Sequence, residues 1–179
     1  MEEIRGKREG NNRRGRGIHN NAKPLKIPMD PNTHLSKEDC SSTKEEEAAM
    51  KKVPYQEAIG ALNWIAVGSR PDIAFVVGQL VQYLKNPGRV HWEAAKQVMR
   101  YLKSTKEKKL VYGASKKSGL TSFTDADGAS QDHRQAISGF AVLIDGGAVS
   151  WSSKKQELVT LLMMEAEYVA VTHAVGELM

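Results

Sequence analysis

Two short stretches of this chain carry acidic residues in settings that could support chemistry. Asp125 lies in Phe123–Asp127, a pattern typical of a strand end, and Glu167 lies in Glu165–Tyr168, a pattern typical of a helix start. Carboxylates are preferred magnesium ligands, and two such ions about 3.5–4 Å apart can cleave a phosphodiester. A strand acid beside a helix acid would be half of such a site. Solvated surface charge is the alternative, because the chain has 21 acids.

Three runs of apolar residues at helical spacing lie between residues 53 and 105. Gly68 and the turn sequence Asn86-Pro87-Gly88 separate these runs. The pattern predicts three short helices with tight turns, and we expect them to form a small three-helix subdomain. Trp64 and Trp92 occupy apolar positions in these runs and are expected in the core.

The hydrophobic period changes to that of strands after the helical part. The predicted strands, in chain order, are residues 110–112, 120–124, 139–144 and 148–152. Asp145-Gly146-Gly147 predicts a hairpin between the last two strands, and Trp151 is again expected in the core. Residues 165–178 are predicted to be a helix that carries Glu167. Strands after a helical unit, followed by one helix, indicate an α+β fold.

The excess positive charge of the chain is concentrated at its N-terminus. The net charge is +5, and residues 1–26 hold eight Lys or Arg against three Glu, which leaves eighteen of each sign elsewhere. Residues 1–26 bury too little apolar surface to fold, so we predict a disordered basic tail, followed by a linker at 27–52. Arg13, Arg14 and Arg16 of this tail could bind nucleic acid or direct nuclear import, or the tail could be plain and disordered.

A second basic cluster lies on the third predicted helix. Lys96, Arg100 and Lys103 share one face of that helix. Such a stripe could lie along a phosphate backbone with salt-sensitive and sequence-independent affinity. An ordinary solvated helix face is the alternative.

The sequence also predicts the compartment. Cys40 is the only cysteine, so no disulfide can form within the chain, which favours a reducing compartment. The N-terminus is charged from Glu2 onward and lacks the apolar core of a secretory signal. No apolar run is long enough to span a membrane. We therefore predict a cytoplasmic or nuclear protein with no membrane partner.

A series of short motifs runs through the chain in a fixed order. They are Val53-Pro54-Tyr55, Arg70-Pro71-Asp72, Asn86-Pro87-Gly88, His91-Trp92-Glu93-Ala94, Phe123–Asp127, Val149–Gln156 and Glu165–Ala170. The series resembles the Pol polyprotein of copia-type (Ty1/copia) retrotransposons from about residue 23 onward. The first four motifs resemble the end of the reverse transcriptase, and the last three resemble the start of the ribonuclease H domain. The resemblance implies a reverse-transcriptase connection region at 53–113 and a truncated ribonuclease H-like domain at 117–179.

That resemblance implies a site as well as a fold. The family uses four carboxylates and two Mg²⁺ ions to cut the RNA strand of an RNA–DNA hybrid, and its first two acids fall on Asp125 and Glu167. The other two would come after Met179, so we expect two of four ligands, weak Mg²⁺ binding and little or no cleavage by the chain alone. The family's fourth strand would pair beside Asp125, and a protein partner could bind the edge left open there.

Two alternatives to this interpretation stay open. In the first, the chain is a repurposed, non-catalytic protein that binds nucleic acid, acts in the nucleus or contacts a partner as an effector does. The extra residues 1–22, which the resemblance does not cover, favour this alternative. In the second, the reading frame is a genomic relic whose product does not fold stably, and urea would then produce no cooperative transition.

Overall fold

The computed structural model describes residues 24–113, 119–127, 136–157 and 163–176. The elements in chain order are a 3₁₀ turn at Lys37–Asp39, α1 (Lys44–Met50), α2 (Tyr55–Gly68), a 3₁₀ turn at Pro71–Ile73, α3 (Ala74–Val81), α4 (Arg89–Ser104), β1 (Leu120–Asp127), β2 (Ile137–Ile144), β3 (Gly147–Lys155) and α5 (Met163–Gly176). The helices come first, three antiparallel strands follow, and one more helix comes last. The predicted α+β fold is confirmed.

Helices α2, α3 and α4 share one hydrophobic core. Each helix buries residues at three- and four-residue spacing, so one stripe per helix faces inward. The buried side chains of this core are Tyr55, Ile59, Leu62, Ala66, Ile73, Val76, Val77, Leu80, Ala94, Ala95, Val98 and Tyr101. The Tyr55 hydroxyl donates to the Leu80 carbonyl at 2.9 Å, which ties α2 to α3 inside the core.

Trp64 does not belong to this core, so that prediction is wrong. Its side chain is 82% exposed. Leu62 and Ala66 mark the buried stripe of α2, and Trp64 lies between them on the opposite side of the helix. Trp92 of α4 is half-buried and packs against the core, with its ring centroid 6.5 Å from that of Tyr55.

Residues 27–52, which the sequence predicts to be a linker, contact helices α2, α3 and α4. Leu35 packs against the core, and its carbonyl accepts a hydrogen bond from the Tyr83 hydroxyl at 2.8 Å. The Ser41 hydroxyl donates at 2.8 Å to a carbonyl in the turn between α3 and α4. A Cβ atom on Gly88 would collide with the Asp39 carbonyl oxygen, so only glycine allows this close approach.

A charged network joins the turn before α3 to the end of α4. The Arg70 guanidinium donates to both Asp72 carboxylate oxygens at 2.9 and 2.8 Å, and to the Thr105 hydroxyl at 2.6 Å. The Tyr101 hydroxyl donates to Asp72 at 2.6 Å. Burial alone would raise the pKa of Asp72, but the hydrogen bonds from Arg70 and Tyr101 outweigh it and lower that pKa.

The three strands form one antiparallel sheet in the order β1-β2-β3. β1 pairs with β2 along its whole length, and Asp125 lies opposite Gly139. Asp145 and Gly146 connect β2 to β3 with φ values of 49° and 81°. Positive φ at both positions is what a tight two-residue hairpin requires, and the predicted hairpin is confirmed.

Residues 110–112 do not form a strand, so that prediction is wrong. This segment lies against the start of β3, where the Tyr112 hydroxyl donates to the Ala148 carbonyl at 3.1 Å. A Cβ on Gly147 would lie 2.5 Å from the Tyr112 ring, so the ring occupies the space beside that glycine. The apolar residues that suggested a strand instead cover the end of the hairpin.

Both faces of the sheet contact helices. On one face, Ala166 and Ala170 of α5 pack against Ala126 of β1. On the other face, the Trp151 indole N–H donates to the Ala66 carbonyl of α2 at 2.8 Å. Trp151 is therefore half-buried where the sheet meets the helical part. Small alanine side chains let α5 lie close to β1, the strand that carries the acidic motif.

Candidate functional site

Asp125 lies near the carboxyl end of β1, and its side chain is exposed. It is opposite Gly139, which has no side chain to crowd the carboxylate. Asp127 is also exposed and ends the strand. Because side chains alternate along a strand, Asp125 and Asp127 share one face while Ala126 lies on the other, towards α5.

Glu167 lies one turn into α5. Its neighbour Ala166 is buried against the sheet, and Glu167 itself is half-buried, whereas Glu165 is exposed. Glu167 is therefore the acid of this helix that packs nearer the strands, and it is the one that the sequence assigns to the site.

Gln156 fixes the start of α5 on the sheet. Its side chain is 1% exposed, and its Nε2 donates to the Ser138 hydroxyl at 2.7 Å and to the Ala166 carbonyl at 2.8 Å. Ser138 is opposite Ala126 in the ladder, so this amide links the first turn of α5 to the strands beside Asp125. Gln156 is thus a positioning residue for the backbone next to Glu167.

Sequence reasoning missed the role of Gln156. The residue closes the Val149–Gln156 motif, but its polarity after two lysines suggests a solvated strand end. Its Oε1 atom is buried and has no hydrogen-bond partner among the described residues, which an exposed end would not show. The sequence does not reveal that this glutamine is buried, because its two hydrogen-bond acceptors lie on β2 and α5 and meet it only in the folded chain.

The structure brings the elements of Asp125 and Glu167 together, but it does not join their carboxylates. No hydrogen bond or ion pair links the two side chains in the part of the chain that the structure describes. Asp125 lies on the face of β1 away from α5, so the two carboxylates can approach one another only around the outer edge of β1. Along that edge no described strand pairs with β1.

Asp125 and Glu167 supply the type of ligand that magnesium prefers, but two carboxylates are too few to fill its coordination shell. Mg²⁺ takes oxygen ligands and is often held by one or two carboxylates together with waters and phosphates. Within residues 24–113, 119–127, 136–157 and 163–176, no group of three or more His, Cys, Asp or Glu could hold a metal ion. The described residues therefore supply the hard oxygen donors of a site but not a closed ligand shell.

Comparison with known proteins shows which proteins this chain is similar to. No family model matches the chain, and neither does any solved structure. The retrovirus-related Pol polyprotein from transposon TNT 1-94 of Nicotiana tabacum is 44% identical over 159 residues, which is 88% of this chain and 12% of that protein. Secreted RxLR effector protein 161 of Plasmopara viticola is 42% identical over 129 residues, which is 72% of this chain and 91% of that protein.

A third relative, the retrovirus-related Pol polyprotein from transposon RE2 of Arabidopsis thaliana, is 34% identical over 158 residues, which is 88% of this chain. The homologues of this chain therefore include copia-type retrotransposon Pol polyproteins. It spans only 12% and 10% of the length of the two Pol polyproteins. The activities of those whole polyproteins can therefore be assigned to this chain only as proposals.

The predicted basic stripe lies on α4. Lys96 Nζ is 2.6 Å from the Glu93 carboxylate and 6.0 Å from the Trp92 ring centroid, so part of its charge is compensated. Arg100 is half-buried, and its Nε is buried without a hydrogen-bond partner in the described part. Lys103 is exposed on the same helix. Phosphate binding by these three residues stays a prediction.

Residues 1–23 of the basic tail fall outside the residues that the structure describes, whereas Leu25 packs against the core of the helices. The nucleic-acid role of Arg13, Arg14 and Arg16 therefore stays a prediction, and so does the choice between cytoplasm and nucleus. Among the described helices, none is long and apolar enough to cross a membrane.

A cleft of about 810 Å³ lies in the helical part, between α1, the start of α2 and the turn after α3. Lys51, Lys52 and Lys85 line it together with Tyr55 and other residues. Neither acid of the pair contributes to this cleft, which is therefore separate from the candidate metal site.

Proposed function

We propose that the β-β-β-α unit of this chain is the opening of a ribonuclease H-like domain, and that the helices before it come from the end of a reverse transcriptase. Asp125 and Glu167 are the two carboxylates that this unit contributes to a magnesium site. The substrate of the complete site is the RNA strand of an RNA–DNA hybrid. The chain by itself is a partial nuclease unit.

One observation carries this proposal. Three antiparallel strands in the order β1-β2-β3 precede a helix that packs on β1 and β2, with an acid near the end of the first strand and another one turn into the helix. This is the element order that the motif series implies. The Pol relatives support it, because they match 88% of the chain.

Two carboxylates do not complete a two-metal site. Each ion must be held in a fixed geometry before it can activate water or stabilise the leaving oxygen. Mg²⁺ also gives up its own water ligands reluctantly, so two exposed or half-buried carboxylates bind it weakly. We therefore expect the 179-residue chain alone to bind Mg²⁺ weakly and to leave hybrid uncut.

Metal mapping by NMR tests the site directly. Mn²⁺ added to the labelled chain should broaden amide signals at both Asp125 and Glu167, and the effect should disappear in the Asp125→Asn/Glu167→Gln double variant. Asp127→Asn, which changes a neighbouring acid on the same strand, is the matched control and should keep the broadening. Broadening at one of the two positions only, or at neither, would contradict a shared site.

A gel assay with labelled RNA–DNA hybrid and Mg²⁺ tests activity. We expect no product above that of the double variant. If the parent chain cleaves the hybrid, and Asp125→Asn abolishes this cleavage while Asp127→Asn does not, the site assignment holds. The expected inactivity of the chain would then be wrong. Cleavage that survives in the double variant would come from a contaminant or another site.

A second candidate function is a non-catalytic, effector-like interaction protein. The chain covers 91% of a relative named as a secreted RxLR effector protein, at 42% identity. Almost the whole of that relative therefore matches this chain, in contrast to the much longer Pol polyproteins. In this candidate, the basic N-terminus directs the chain to nucleic acid or to the nucleus, and the helical part or the outer edge of β1 contacts a partner.

Deletion of residues 1–22 tests the second candidate. A fluorescent fusion of the shortened chain should lose nuclear accumulation, and its RNA affinity should fall with a weaker salt dependence. A matched variant with Arg13, Arg14 and Arg16 changed to Gln keeps the length and removes the charge. Unchanged localisation and unchanged RNA affinity in both variants would remove the support for this function.

A further inference from the structure

Helix α5 exposes a second apolar face that the sheet does not cover. Met164 is 67% exposed, Tyr168 68%, Val171 45% and Val175 48%. These four residues, which we call the α5 stripe, lie on one side of the helix because their spacing is four, three and four residues. Exposed apolar surface concentrated in this way indicates a contact surface.

The α5 stripe lies opposite the sheet. The residues that face the strands are Ala166 and Ala170, with Ala174 buried on the same side one turn later. At about 100° per residue, the centre of the stripe is turned well away from the centre of the alanine row. The helix is therefore apolar on two sides, and only one side has a partner among the described residues.

We propose that the α5 stripe is the contact surface of a homodimer in which α5 of a second copy packs antiparallel to the first. The spacing of the stripe, four, three and four residues, is the same in both directions along the helix. A two-fold axis beside Val169 and Ala170 therefore places the stripe of one copy against the stripe of the other. Met164 then meets Val175 of the second copy, and Tyr168 meets Val171 of the second copy. This proposal does not depend on the metal site.

The charges on α5 favour the antiparallel arrangement. Both of its carboxylates, Glu165 and Glu167, flank the stripe in the first turns, and residues 168–176 contain none. A parallel pair would place these acids against the same acids of the second copy, which is unfavourable. An antiparallel pair places them beside the uncharged half of the other helix, and the two helix dipoles also oppose one another favourably.

The size of the stripe determines the strength of the contact. Four partly exposed side chains supply on the order of 500 Å² from each copy, so the pair buries roughly 1,000 Å², at the lower limit for specific interfaces. The dimer is therefore weak and dependent on concentration. The Tyr168 ring at its centre is the type of residue that dominates such contacts.

Sedimentation equilibrium over a range of protein concentrations tests this dimer. The parent chain should pass from monomer to dimer as concentration rises, and Tyr168→Lys should raise the dissociation constant roughly tenfold or more. Trp64→Lys and Phe123→Lys replace exposed apolar residues on α2 and β1 and serve as controls that keep the dimer. Circular dichroism confirms that each variant folds, and Val171→Lys provides a second disruption of the stripe.

Cysteine cross-linking distinguishes antiparallel from parallel pairing in a Cys40→Ser background. Chains with Met164→Cys and chains with Val175→Cys should form a mixed disulfide when combined under oxidant, and Met164→Cys alone should not. A monomer at all concentrations would overturn the proposal. A dimer that Phe123→Lys disrupts and Tyr168→Lys leaves intact would also overturn it. Efficient self-cross-linking of Met164→Cys would overturn the antiparallel arrangement.

Discussion

Replacement of Gln156 by leucine tests how the candidate site is held together. The side chain is buried, and its amide nitrogen donates to the Ser138 hydroxyl and the Ala166 carbonyl at 2.7 and 2.8 Å. Leucine has a similar volume but cannot donate a hydrogen bond. The substitution therefore removes the polar link between α5 and β2 with little change in packing.

The expected cost follows from the bonds that are lost. Two neutral hydrogen bonds contribute about 1 kcal/mol each, and a buried acceptor left without a donor costs about 1–3 kcal/mol. Removal of the unpartnered Gln156 Oε1 offsets part of this loss. We expect Gln156→Leu to lower the free energy of unfolding by about 2–3 kcal/mol. The first turn of α5 should loosen more than α2, α3 and α4.

Urea denaturation measures the stability, and amide hydrogen exchange locates the change. Ser122→Ala on exposed β1 is the matched control and should change stability by less than about 0.5 kcal/mol. A double-mutant cycle with Ser138→Ala should give a coupling of about 1 kcal/mol. If Gln156→Leu is as stable as the parent and α5 exchanges at the same rate, the amide link does not hold the helix.

Three further changes test other parts of the fold by urea denaturation. Asp72→Asn should cost about 2 kcal/mol, because it removes a charged partner of Arg70, and full stability of this variant would contradict that role. Burial lowers the pKa of His91 below its unfolded value, so stability should be complete above about pH 6.5 and fall as pH decreases from there. His91→Gln should abolish that pH dependence, and an unchanged slope would assign it to another group. Trp151→Phe should cost about 1 kcal/mol through the lost bond to Ala66 and should leave the helical part folded.

Local chemistry made several elements predictable from the sequence. Asp145 and Gly146 tolerate positive φ, so the hairpin between β2 and β3 could be predicted from two residues. The change from helical to alternating periodicity predicted helices before strands. Asp125 and Glu167 were assigned to a strand end and to a helix, and β1 and α5 contain them.

Long-range contacts made other features unpredictable. Leu110–Tyr112 has strand-like composition, but the Tyr112 ring covers Gly147, and none of the described strands pairs with this segment. Trp64 lies in an apolar run, and its exposure depends on which side of α2 meets the other helices. The burial of Gln156 likewise depends on α5 and β2, which are distant in sequence and adjacent in space.

The position of Asp125 on the sheet limits what this chain can do alone. The carboxylate lies on the face of β1 away from α5, and Glu167 belongs to the helix on the other face. One ion can contact both acids only at the outer edge of β1, where no described strand shields it from water. In water the attraction between an ion and two carboxylates is strongly screened, so it gains little over the ion's own hydration. Polypeptide added along that edge would exclude water, so we expect the proposed nuclease site to bind its ion more tightly when the edge is covered.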